Sequence, residues 1–146
     1  MSNLHVVFRV AEAEYALAAA DVLQMESYAG ATRVPGALPH VAGVIHVRGR
    51  VVPVVDLRVL FGLPATTHGL DARVVVMELH ERTVGLLVDS AREVIKLGPE
   101  QITAPPKALT EGAQGFVKGV VHLGGRLLLI IDLTRVVGEE AIDGNN

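Results

Sequence analysis

The chain has 146 residues; half are hydrophobic, a fifth are charged and 3% are aromatic, with a formal net charge of −3. That composition suits one ordinary globular domain and excludes a disordered chain, while the negative charge and scarce aromatics disfavour nucleic acid as a partner. No cysteine is present, so disulfide and thiolate-metal chemistry are excluded.

Taken in chain order, the first element is an apolar run in MSNLHVVFRVAEAEYAL. No basic region precedes a long apolar stretch there, so a secretory signal is not expected. The run turns at AEAE, returns along a second apolar run and reaches a segment with Gln24 in its middle. After Thr32-Arg33-Val34-Pro35 comes GVIHV, a turn at Arg48-Gly49 and a return along VVPVV. Glycine at a two-residue hairpin turn supplies the positive φ that such turns need. Pro53 has no amide donor, which predicts a strand at an edge or a break in the ladder. Asp56 then opens LRVLFG, where it is placed to cap a single helical turn that Gly62 ends. From residue 75 the same series recurs, with HERT as its turn and a longer spacer, GPEQITAPPKALTEGAQG, before the last hairpin turns at Gly124-Gly125. No apolar run approaches the ~20 residues of a spanning helix, so membrane insertion is not expected and a cytoplasmic location is. The final residues, 139–146, read as a flexible tail.

The recurrence is a duplication. VAGVIHVRGRVVPVVDLRVLFG (41–62) lies over VKGVVHLGGRLLLIIDLTRVVG (117–138) without a gap, and nine positions are identical by direct comparison, among them His46/His122, Gly49/Gly125, Arg50/Arg126 and Asp56/Asp132. A fainter match at an offset of 69 lays residues 6–25 over 75–94. One domain, 1–138, is therefore expected from a unit used twice, at 6–62 and 75–138. Short valine-rich strands with tight turns, used twice, predict an all-β fold of two small barrels packed together.

Duplicated aspartates invite comparison with aspartic peptidases, whose paired carboxylates share a proton across a pseudo-twofold axis. Those enzymes need a small hydroxyl residue and glycine after the aspartate; Leu57-Arg58 and Leu133-Thr134 stand there instead. Capping by Asp56 and Asp132 is the better reading. His40, His46 and His122 lack helix-face spacing and any HExxH pattern, so no metal is expected. No GxSxG turn and no GxxxxGK[ST] loop occur, and no cofactor is predicted.

Taken together, Val41-x-Gly43-Val44-Ile45, Arg48-Gly49, Val52-Pro53-Val54-Val55-Asp56-Leu57-Arg58, the earlier Thr32-Arg33-Val34-Pro35 and the later Gly85-Leu86-Leu87-Val88-Asp89 resemble the CheW family of chemotaxis coupling proteins. The resemblance runs from about Val6 to Val137. It implies two pseudo-symmetric five-stranded SH3-like barrels with short helical turns, and a non-enzymatic adaptor. Its implied partners are the helical hairpin of a chemoreceptor's cytoplasmic tip and the regulatory domain of a CheA-type histidine kinase, in membrane-bound receptor arrays. Carried over by motif position, the receptor groove would draw on Val22, Gln24, Met25, Gly43, His46 and Arg48, with Gly49, Asp56, Gly125 and Asp132 as turns and caps.

Two departures from the family pattern stand out: Gln24 where glutamate is common, and His46 where asparagine is common. The glutamate is thought to pair with the arginine at position 48. Glu26, two residues along and on the same strand face, is a geometrical substitute. These departures point to a coupling protein specialised for one receptor and kinase. The alternative, a small-barrel module for RNA or peptide, would need aromatics and basic residues on a sheet face.

Overall fold

The computed structural model describes residues 3–64, 66–107 and 115–136. These residues form ten strands: β1 Leu4–Val10, β2 Ala13–Ala18, β3 Val22–Ser27, β4 Val41–Val47, β5 Arg50–Asp56, β6 Arg73–Leu79, β7 Arg82–Val88, β8 Ser90–Lys96, β9 Val117–Leu123 and β10 Arg126–Ile131. Single helical turns, α1 Leu57–Leu60 and α2 Leu133–Val136, follow β5 and β10. The expected tail at 139–146 lies outside the described residues.

The strands form two five-stranded sheets, β8-β1-β2-β10-β9 (sheet I) and β3-β6-β7-β5-β4 (sheet II). Replacing every strand by its repeat partner turns one order into the other, so the duplication is a pseudo-twofold relation between sheets. Neither repeat unit builds a sheet by itself. The β1–β2 hairpin joins the β9–β10 hairpin of the other unit, through the parallel pair β10–β2, and each unit's third strand crosses to the opposite sheet. The chain passes between sheets twice among the described strands, at β2–β3 and at β7–β8.

Parity explains the valine-rich runs. Successive side chains point to opposite faces of a strand, and here both faces are buried. On β6, Val74 and Val76 face a cluster inside sheet II, while Val75 and Met77 face a central cluster shared by both sheets. On β1, Val7 belongs to the cluster inside sheet I and Phe8 to the central one. Four aromatic rings span that central seam: Phe8–Tyr15, Tyr15–Phe61 and Phe61–Phe116 have centroids 5.8, 5.2 and 5.4 Å apart. Rings spent on the seam are unavailable for stacking bases on an open face.

Pro53 corrects one alternative of the sequence reading, because β5 is an internal strand between β7 and β4. The missing amide is tolerated at the start of a ladder: parallel pairing with β7 begins only at Val54. Opposite Pro53, Val44 turns its own amide and carbonyl outward to Thr32, at 2.8 and 2.9 Å.

Candidate functional site

Strand β3 opens sheet II and alternates cleanly. Val22, Gln24 and Glu26 are half-buried; Leu23, Met25 and Ser27 are exposed, Met25 by 41%. Gln24 pairs opposite Val76, so its amide lies over the interior of sheet II. The predicted residues Gly43, His46 and Arg48 lie on or just beyond β4, at the opposite edge of the sheet order. The predicted set therefore falls into two groups, with the 28–40 segment running between them. A cleft of about 540 Å³ joins His46, Val44 and Ile45 to that segment at residues 29–32.

Each member has a distinct local role. Gly43, at φ 145°, is buried, and a Cβ there would collide with the Thr32 carbonyl, so glycine allows the bridge between Thr32 and Val44. Arg48 and Gly49 hold the β4–β5 turn at φ 49° and 80°, the left-handed pair that closes a tight hairpin. Arg48 is exposed, and among the described residues it has no ion-pair partner. Glu26 Oε2 accepts a hydrogen bond from Gln24 Nε2, so the residue expected to stand in for the family's glutamate is tied to position 24 within β3.

Asp56 and Asp132 each sit at the start of a helical turn. Asp56 Oδ1 accepts the Arg58 amide at 3.0 Å, and Asp132 Oδ1 accepts the Thr134 amide at 3.1 Å and its hydroxyl at 2.7 Å. At the β9–β10 turn, Gly124 has φ 64° and Gly125 follows it in ordinary space.

Two polar networks escaped the sequence reading. At the β7–β8 crossover, Arg58 binds the Asp89 carboxylate through Nε at 3.0 and 3.2 Å and Nη2 at 2.9 Å, and the Ala11 amide donates to the same carboxylate at 2.7 Å. Burial pushes the Asp89 carboxyl up, but hydrogen bonds from Arg58 and Ala11 outweigh it and hold it below the ordinary aspartate range. The imidazole of His68 lies alongside, with Nε2 3.3 Å from Asp56 Oδ2 and its ring edge-on to Tyr28. The second network is on sheet I: Arg126 Nη2 reaches Glu14 and Glu93, each at 2.7 Å. Hydrogen bonds from Arg126 hold both glutamates below their usual range. Repeat alignment shows only that these charges are not duplicated, since Arg126 matches Arg50 but Glu93 matches Gln24 and Asp89 matches Ala20.

Comparison with known proteins supplies a context for this geometry. A family model described as the CheW-like domain matches residues 4–141. The chemotaxis protein CheW of Bacillus subtilis is 34% identical over 136 residues, covering 93% of this chain and 87% of that protein. CheW of Klebsiella aerogenes is 29% identical over 135 residues, covering 92% of this chain and 81% of the relative. Among solved structures, the scaffolding protein TtCheW from Thermoanaerobacter tengcongensis superposes with a TM-score of 0.81 at 30% identity, covering 91% of this chain and 86% of that one.

Proposed function

The chain belongs to the CheW-like domain family, and from that premise we propose that it is a non-enzymatic scaffold coupling chemoreceptor tips to a CheA-type histidine kinase in chemotaxis-type signalling. The observation that carries this reading is the two-sheet architecture it shares, over nearly the whole chain, with a scaffolding protein. The RNA- or peptide-module alternative has no support among the relatives, and four of the five aromatic side chains sit in the central seam.

In this reading the receptor's helical hairpin lies against β3 and the β4–β5 turn. Met25 offers exposed apolar surface, Gln24 lies half-buried over the interior of sheet II, Val22 lies half-buried against the central cluster beyond a bulge, and His46 and Arg48 contribute from the β4 side. Arg48 is the anchor, because a free guanidinium beside apolar surface suits an amphipathic helix with an acidic rim. Gly43 serves by letting the 31–32 segment close on β4. Among the described residues no helix is long and apolar enough to cross a membrane, and recruitment to arrays would run through the receptor.

Calorimetric titration against a receptor-tip fragment and, separately, the kinase regulatory domain from the same genome tests the reading. Both should bind, and Arg48→Ala should weaken the receptor arm by roughly tenfold, the size of an ordinary anchor residue, while sparing the kinase arm. Binding to neither partner would remove the coupling role.

A further inference from the structure

Among the described residues two crossovers connect the sheets, and one of them carries a side-chain clamp. At β7–β8, Asp89 gathers a bidentate guanidinium from the turn after β5, in sheet II, and a backbone amide from the β1–β2 turn, in sheet I. One carboxylate therefore ties both sheets to the strand that passes between them. Charge-assisted bidentate bonds of this kind fix orientation as well as distance.

The pseudo-twofold mate has the frame for the same clamp without its side chains. His80 takes the place of Ala11, and the two residues share a left-handed φ, 53° and 55°, although the residue after His80, Glu81, is left-handed as well and Glu12 is not. Ala20 stands where Asp89 does, and Thr134 stands where Arg58 does, its hydroxyl turned back onto Asp132. The β2–β3 crossover is a three-residue turn, Ala19–Asp21, with no side-chain cap. Beside it lies a cavity of about 260 Å³ whose walls include Leu17, Ala18, Asp21, Lys118 and Leu133. Strand β3, which carries Val22, Gln24 and Met25, starts at this unclamped crossover.

We propose that Arg58 and Asp89 are positioning residues that make the β7–β8 crossover a fixed pivot between the sheets, leaving the angle at the β2–β3 side, and with it the placement of β3, free to adjust to a bound helix. The receptor part of this inference rests on the coupling function proposed above; the pivot does not.

The absence of native cysteine makes the test direct. Spin labels at Glu78→Cys on sheet II and Lys118→Cys on sheet I report the distance between sheets by pulsed electron resonance. Asp89→Asn, which keeps an acceptor for the Ala11 amide and loses the ion pair, is expected to broaden the distance distribution well below its melting temperature. Unlabelled Asp89→Asn should bind the receptor-tip fragment roughly fivefold or more weakly, within the range of ordinary coupling energies, with the kinase arm unchanged. Ala20→Asp with Thr134→Arg builds the missing clamp and should narrow the distribution relative to the unmodified chain, which keeps the test alive if Asp89→Asn fails to fold. Unaltered distributions overturn the pivot. A broadened distribution with unchanged receptor affinity overturns the positioning role. An unmodified chain that binds neither partner overturns the coupling reading, and the distance measurement then judges the pivot by itself.

Discussion

The same rim position of the two sheets is chemically different in each. On sheet I, Arg126 straddles Glu14 and Glu93, a cation held between two anions. On sheet II, the repeat partner Arg50 donates to Thr83 at 2.9 Å, and Gln24, the partner of Glu93, turns to Glu26. The strand order and the buried valines match across the pseudo-twofold, and each hairpin turn keeps its first residue left-handed, while the polar groups over each interior do not match. Duplication preserved what folding requires and released the rims, which is what a molecule needs if its two sheets are to meet different neighbours.

The largest expected effect breaks the shared part. Val7 and Val76 are repeat partners, each almost fully buried inside its own sheet. Val7→Ala and Val76→Ala should each cost about 2–3 kcal/mol, two methyl groups plus the cavity they leave, and chemical denaturation should give equal losses within error. Unequal losses would mean that the two interiors are not equivalent.

A smaller effect isolates the rims. Glu14 and Glu93 have folded values held below those of the unfolded chain, so their stabilisation is present above about pH 4.3, the ordinary glutamate value, and is lost as pH falls through the folded values. Thermal melts between pH 3 and pH 7 should therefore show a shallower acid decline for Glu14→Gln/Glu93→Gln than for the unmodified chain. Arg50→Gln, on the other rim, should leave the acid slope unchanged. A double variant with the unmodified slope would show that the Arg126 contacts are too solvent-screened to count.

The smallest effect tries to convert one rim into the other. Thr83→Glu with Gln24→Glu surrounds Arg50 as Arg126 is surrounded, and should add a modest acid-dependent component to the melts. No added pH dependence would indicate that Glu26, already beside position 24, spoils the site by repulsion.

Much of this fold was legible in the residues. The hairpins followed from turns such as Arg48-Gly49, the capping role from Asp56 ahead of an apolar turn, and the pseudo-symmetry from ungapped alignment. The exchange of β3 and β8 between sheets was not legible, because a strand's alternation is the same whichever neighbour accepts it. Pro53 suggested an edge because the missing donor was visible and the outward turn of Val44 was not. The clamp was hidden differently: Asp89 and Arg58 were both noticed as motif residues, but a separation of 31 positions gives no sign that they meet. His68 carried no periodic signal at all, since it comes from the loop between β5 and β6.

The exchange of third strands also sets an order of assembly. Sheet II is continuous in the chain, from β3 to β7, whereas sheet I pairs β2, which ends at Ala18, with β10, which begins only at Arg126. During synthesis from the N-terminus, residues 22–88 can close their sheet while β1 still waits for β8 and β2 for β10 to emerge. Such distant pairing is slow to find and leaves strand edges exposed meanwhile. The ribosome would thus deliver one finished sheet carrying an unpaired hairpin, and the last strands made would complete the first ones.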